Sequence, residues 1–256
     1  MKYFLKIVLF TALATLISGC SSTLNDPFKA YRQQSAAVIF HNAHQALVSK
    51  HYSQAVSGYE ALDAIYPFGP FSRTAQLESI YAYYMSGDYA QATAAASRFV
   101  QLYPLGQGAD YAYYMAGVMG QAQGYTFFQR KIGVNPSWRD LSDQKNAFLS
   151  FDTVVRRFPK SPYAPDALRR MYYIRNIVAD HYLKLANFYY GQKAYVAAAN
   201  RAGFVVMHLN GTLATPEALA LMVKAYRRLQ LTQLADQSLQ ILQNSYPHAS
   251  ALKQLK

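Results

Sequence analysis

One cysteine, Cys20, stands in 256 residues, so no disulfide can close within the chain and its stability must come from packing. Charge is scarce too. Asp, Glu, Lys and Arg make up 15% of the residues, and only 13 side chains are acidic. Those carboxylates are scattered, and the sequence pairs no two of them as acid and base. Catalytic signatures are missing: there is no Gly-x-Ser-x-Gly, no phosphate-binding loop and no His-Glu-x-x-His. His41 and His44 lie three apart, with His51 nearby, but no acidic or cysteine ligand accompanies them locally. A polar helix face is expected there, and no metal. Disorder is excluded by a hydrophobic content of 52%, with 23 Tyr and 14 Phe.

The apolar run Ile7 to Ile17 is too short to span a bilayer and suits a signal-peptide core behind Lys2 and Lys6. It ends in Leu16-Ile17-Ser18-Gly19-Cys20, small residues before the cysteine, which looks like a bacterial lipobox. Residues 1–19 are therefore expected to be a cleaved signal peptide. Cys20 would then carry a diacylglycerol thioether and an N-acyl group, with no other cofactor. Several acyl chains on one residue anchor a protein stably. Ser21 stands where inner-membrane lipoproteins often carry Asp, which points to the periplasmic face of the outer membrane. The net charge of +12 calls for an acidic partner or an anionic surface. Nucleic acid is the default partner of a basic protein, and a periplasmic address excludes it.

What is present is a repeat. Ala55, Ala92, Ala147 and Ala235 each stand twelve residues before a proline: Pro67, Pro104, Pro159 and Pro247. A fifth alanine, Ala198, has Asn210 in the proline position, where a looser turn is expected. Tyr66, Tyr103, Phe158 and Tyr246 precede the prolines. A small residue lets a neighbouring helix approach, and an aromatic four positions on, as in Ala55–Tyr59 and Ala147–Phe151, fills the space beside it. The proline ends the helix. This is the tetratricopeptide pattern. It implies an all-α, right-handed superhelical solenoid of five helical hairpins, an architecture that builds binding surfaces.

The alanines are 37, 55, 51 and 37 residues apart. The first long gap contains Gly124 to Asp140, expected as a loop inserted in repeat 3. The second contains Tyr163 to Tyr190, expected as one long connecting helix with Pro165 in its first turn. Residues 20–34 are polar and read as a lipidated tether. Residues 35–160 form repeats 1–3, and residues 161–256 form repeats 4 and 5. Helices are predicted over 35–49, 53–66, 72–86, 90–103, 215–229 and 232–245. Gly117, Gly120 and Gly124 within a predicted helix point to close packing, not to phosphate. Arg156-Arg157, Arg169-Arg170 and Arg227-Arg228 are either solvated faces or grips for a carboxylate.

Tyr66-Pro67-Phe68-Gly69-Pro70-Phe71-Ser72, then Gln76-Leu77 and Ile80-Tyr81-Ala82-Tyr83-Tyr84, resemble the first repeat junction of the BamD family. These are the tetratricopeptide lipoproteins of the outer-membrane β-barrel assembly machine. The resemblance continues through Asp110-Tyr111, Phe127-Phe128, Gly133-Val134, Arg139-Asp140, Ala147-Phe148, Phe158-Pro159, Tyr195-Val196-Ala197, Asn200-Arg201 and Ala225-Tyr226-Arg227. It covers essentially the whole chain after Cys20. It implies a non-enzymatic scaffold whose front repeats receive the C-terminal signal of unfolded β-barrel proteins. The back repeats would dock a periplasmic POTRA domain of the barrel subunit BamA, and smaller lipoproteins would attach. Arg201, beside Asn200, matches the family arginine that contacts BamA. Tyr66, with Phe68 and Phe71 of the same motif, matches the substrate-reading turn. Two other readings are open. A pilotin-like repeat lipoprotein would serve another envelope machine, such as a pilus secretin. A murein-cleaving enzyme would need Glu60, Glu78 or Glu217, all of which fall in predicted repeat helices.

Overall fold

A computed structural model describes residues 26–123 and 140–255. Cys20, the predicted signal peptide and nearly all of the predicted loop in repeat 3 lie outside the described residues. Among the described residues there are ten α-helices: α1 Ala36–Val48, α2 Tyr52–Ile65, α3 Ser72–Ser86, α4 Tyr89–Leu102, α5 Ala109–Gln123, α6 Ser142–Arg157, α7 Ala164–Gly191, α8 Tyr195–His208, α9 Thr215–Arg228 and α10 Thr232–Ser245. Each packs on the next in sequence, so consecutive pairs form five hairpins in a row. That is the solenoid the repeat predicts, with boundaries within a residue or two of those expected. The long helix is there as well: α7 runs for 28 residues, about 40 Å at 1.5 Å per residue.

The five repeat alanines are all buried, none more than 2% exposed. Tyr59 and Phe151, four positions after Ala55 and Ala147, are buried beside them. The conformation of the residue before each proline repeats closely. Tyr66, Tyr103, Phe158 and Tyr246 have φ between −128° and −138° and ψ between 55° and 63°. Proline's ring clashes with a helical predecessor and pushes it toward the extended region. Leu209, which precedes Asn210, carries no such constraint, and its ψ falls to 28°.

A second repeat, silent in composition, sits inside the hairpins. Lys50, Gly87, Lys193 and Gln230 all have φ between 60° and 86°, and each lies five residues before its repeat alanine. The amide after each donates back five residues: His51 to Ala46, Asp88 to Tyr83, Ala194 to Tyr189, Leu231 to Tyr226. This is a Schellman-type end, which satisfies the last carbonyls of one helix and aims the chain into the next. Only one of the four left-handed residues is glycine.

Two expectations need correction. The turn at Asn210 is not loose. Arg175 Nη2 donates to the Asn210 carbonyl at 3.0 Å, and Asn176 Oδ1 accepts from the Leu213 amide at 2.9 Å. Thr212 Oγ1 donates to the Leu209 carbonyl at 2.7 Å. The long helix α7 thus replaces the missing proline as the restraint. The described part of the predicted tether, residues 26–34, is also not a free linker. Lys29–Tyr31 form a 3-10 turn, and Phe28 and Tyr31 pack on the first core. Their apolar rings are covered there at little cost, because the first hairpin has no preceding repeat to cover its outer face.

Candidate binding surfaces

The Tyr66–Phe71 turn joins α2 to α3 and separates its aromatics into different roles. Tyr66 caps α2, its amide donating to the Leu62 carbonyl at 2.8 Å. Its hydroxyl donates to the Gln34 carbonyl at 2.9 Å, which ties the N-terminal segment to the first repeat. Ser72 Oγ donates to the Tyr66 carbonyl at 3.0 Å and closes the turn. Phe71 stacks on Phe40 of α1 with ring centres 5.1 Å apart. Phe68, at the apex, is 96% exposed. The structure therefore brings the three predicted substrate residues into one turn, with Phe68 fully presented to solvent and Tyr66 and Phe71 half-buried.

Beneath that turn the acidic groups are engaged. Glu78 accepts from the Tyr59 hydroxyl and lies 2.9 Å from His44 Nδ1. Burial, then the Glu78 hydrogen bond, pushes the Tyr59 phenol well above its ordinary range. Glu60 accepts from the Tyr83 hydroxyl at 2.6 Å, and Asp63 pairs with Arg98 at 2.9 Å. Tyr59, Glu60, Asp63, Tyr83 and Arg98 line a cavity of about 270 Å³ between α2, α3 and α4. His41 and His44 join no metal-ligating cluster among the described residues.

The seam between α5 and α7 is polar and aromatic. Tyr114 stacks on Tyr163 at 5.0 Å and donates to Asp166 at 2.7 Å. Asp166 also accepts from Arg169 at 2.9 Å and from Arg170 at 2.5 Å, and Arg170 reaches Gln121 at 2.7 Å. Burial acts to raise the Asp166 pKa, but the hydrogen bonds from Arg170 and Tyr114 outweigh it and hold the carboxyl below 3.8. All three arginine pairs thus supply internal ties, since Arg156 pairs with Asp152 at 2.8 Å and Arg227 Nη1 donates to the Leu255 carbonyl at 3.4 Å. Gly117 and Gly120 face α6 as predicted: a Cβ on Gly117 would meet the Phe151 ring at 2.5 Å.

On α8 the predicted docking residues lie side by side, Asn200 and Arg201 both exposed. Arg201 has no salt-bridge partner among the described residues. Val196 and Met207, 59% and 71% exposed, share the Asn200 face of the helix. No pairing places this face near the front turn; the two sites belong to different hairpins.

Sequence reasoning missed an apolar groove of about 560 Å³ where α6, α7 and α8 meet. Phe148, Val178 and Phe204 line it, with Lys145, Arg175 and His208 at its edge. It is assembled from three helices far apart in sequence, so no local motif marks it. One global signal could have pointed to that end of the molecule. Residues 26–123 carry six acidic and five basic side chains, whereas residues 140–255 carry seven acidic and fourteen basic. The positive charge is concentrated after residue 140.

Stacked hairpins with open surfaces, buried small residues and internally satisfied acids define a tetratricopeptide-type binding scaffold. A family model described as YfiO, outer membrane lipoprotein, matches residues 32–253. The chain belongs to that family. It is 37% identical over 240 residues to the outer membrane protein assembly factor BamD of Pasteurella multocida, covering 93% of this chain and 90% of the relative. The BamD of Haemophilus influenzae is 35% identical over 238 residues, covering 93% and 89%. That of Neisseria meningitidis serogroup B is 31% identical over 251 residues, covering 97% and 94%. A solved Podosopora anserina kinesin light chain with TPR-like repeats overlays at a TM-score of 0.42 and 13% identity over 86% of this chain, too loose a match to argue from.

Proposed function

We propose that this chain is a non-enzymatic scaffold in the assembly of β-barrel outer membrane proteins. The match to BamD relatives along nearly the whole length of both chains carries this reading. In it, lipid on Cys20 holds the protein at the periplasmic face of the outer membrane. The front turn, through exposed Phe68, receives the C-terminal signal of an unfolded barrel protein, while Tyr66 and Phe71 hold that turn in shape. Asn200 and Arg201 on α8 dock a periplasmic POTRA domain of BamA, and smaller lipoproteins of the machine attach elsewhere. No chemical step is required: two sites on one rigid stack raise the local concentration of substrate beside the barrel subunit. The unengaged guanidinium of Arg201 fits a docking role, because it is free to form a bidentate pair with a partner carboxylate. Glu60, Glu78 and Glu217 fit structural roles, since they accept from Tyr83, from Tyr59 and from Ser250 in turn.

The test is capture of the full chain from detergent-solubilised membranes, followed by mass identification. BamA and other assembly subunits are expected. Recovery of a secretin in their place would replace this reading with the pilotin-like one. Photocrosslinkers at positions 201 and 68 then separate the sites: BamA at 201 and unfolded barrel substrate at 68. Crosslinks to neither partner at either position would sink both assignments.

A further inference from the structure

The groove between α6, α7 and α8 is built like a recognition site. Its floor is apolar, from Phe148, Val178 and Phe204. One wall is a column of rings: Tyr182 stacks on Phe204 with centres 4.2 Å apart, and Phe204 lies 4.8 Å from His208. Leu149 at the rim is 54% exposed. Lys145 and Arg175 flank the groove on opposite helices, against the single carboxylate of Asp140. Lys145 is exposed and forms no ion pair among the described residues. Arg201 stands three positions before Phe204 and so on the same side of α8, which extends the basic rim along the helix.

We infer that this groove docks an acidic peptide segment of a partner protein, whose aromatic or aliphatic side chains enter between Phe148 and Phe204 while its carboxylates meet Lys145 and Arg175. The volume admits two or three large side chains, and covering the floor removes apolar surface from water. Charge complementarity selects the partner's sign. Residues 140–255 hold twice as many basic as acidic side chains, so a basic or neutral segment gains nothing from them. A second copy of this chain is a poor occupant. Its back half is basic, and three of the six front acids, Glu60, Asp63 and Glu78, are engaged by Tyr83, Arg98 and Tyr59. The groove is separate from the front turn.

The probe is a fluorescent, end-blocked dodecapeptide in which phenylalanine alternates with glutamate, titrated by anisotropy against the full chain in detergent. A counterpart with lysine for glutamate is the control. Lys145→Glu and Leu149→Glu change exposed side chains, so both variants should melt with the wild type. The glutamate peptide should bind, the lysine peptide should not, and each variant should weaken binding by about tenfold. Equal binding of the two peptides, no binding at all, or binding untouched by both variants overturns the proposal. It also fails if the peptide binds only after residues 126–138 are replaced by a Gly-Ser linker, which would make the chain's own segment the occupant. Self-association lost in Leu149→Glu would assign the groove to a second copy, and adsorption to phosphatidylglycerol vesicles without peptide binding would assign it to lipid.

Discussion

Gly117 and Asp166 hold the middle of the stack by opposite means, one by absence of a side chain and one by charge. Gly117 lets α5 approach α6 until the Phe151 ring occupies the place of a Cβ, at 2.5 Å from it. Phe151 is fully buried and lies 5.9 Å from Tyr114, so its ring has nowhere to move. Gly117→Ala should therefore cost about 1–3 kcal/mol by overpacking, read as a lower urea midpoint. Gly191→Ala makes the contrast: nothing lies within 4 Å of its Cβ, and the change should be neutral or slightly stabilising. Equal loss in both variants would remove the packing argument. Asp166 acts through its pKa, held below 3.8 by Arg170 and Tyr114 against the opposing effect of burial. A carboxylate whose folded pKa is depressed adds stability that is complete above its unfolded pKa and is lost as pH falls through the folded one. Asp166 is 32% exposed, which limits the effect of Asp166→Asn to about 1 kcal/mol at neutral pH. The gap between wild type and variant should close as pH drops below 3.8; a gap unchanged at pH 3 would contradict the assignment.

Among the elements, the hairpin turns carry the strain. Lys50, Lys193 and Gln230 occupy the left-handed region at φ of 64°, 61° and 60°, where a Cβ crowds the backbone. Gly87 holds the same place in α3–α4 without that cost. Replacing Lys193 with glycine relieves about 1 kcal/mol of strain and returns part of it as chain entropy, for a net gain of about 0.5 kcal/mol. The same change at all three turns should add nearly independently, since the sites are far apart, and raise the denaturation midpoint stepwise. A fall in stability at Lys193→Gly would mean that the turn is not strained. The helices themselves were legible because Ala-to-Pro spacing, aromatic placement and Pro165 are local signals that dictate local structure. The strained turns were not, because lysine and glutamine carry no turn preference; the five-residue offset from the alanine is visible only once the backbone angles are known. Asn210 misled for a related reason. The side chains that fix its turn, Arg175 and Asn176, come from a helix some 35 residues upstream, beyond any local reading. The Tyr66 hydroxyl's bond to the Gln34 carbonyl, across 32 positions, is likewise beyond any local motif.

The whole molecule is electrically lopsided: nearly balanced through residues 26–123 and strongly basic through 140–255. Local ties absorb part of that charge, as at Asp152, Asp166 and Asp180, but Lys145, Arg157, Lys160, Lys193 and Arg201 remain at the surface. A uniform field of this kind steers an acidic partner toward one end of the stack and gives the rest of the surface no pull. The consequence is kinetic before it is thermodynamic. On the docking role proposed above, association of BamA with the back hairpins should slow by about tenfold or more between low and physiological salt, because exposed charges a Debye length apart stop sensing each other. Dissociation, set by close contacts, should change far less. Reversing Arg157 and Lys160 to glutamate, neither of which belongs to the face of α8 proposed for docking, should lower the on-rate at low salt and flatten its salt dependence. Reversing Lys50 in the front hairpin should do neither. Surface plasmon resonance on the full chain in detergent across a salt series measures both rates. An on-rate indifferent to salt, or one equally sensitive to Lys50, would show that the asymmetry of charge does not guide docking.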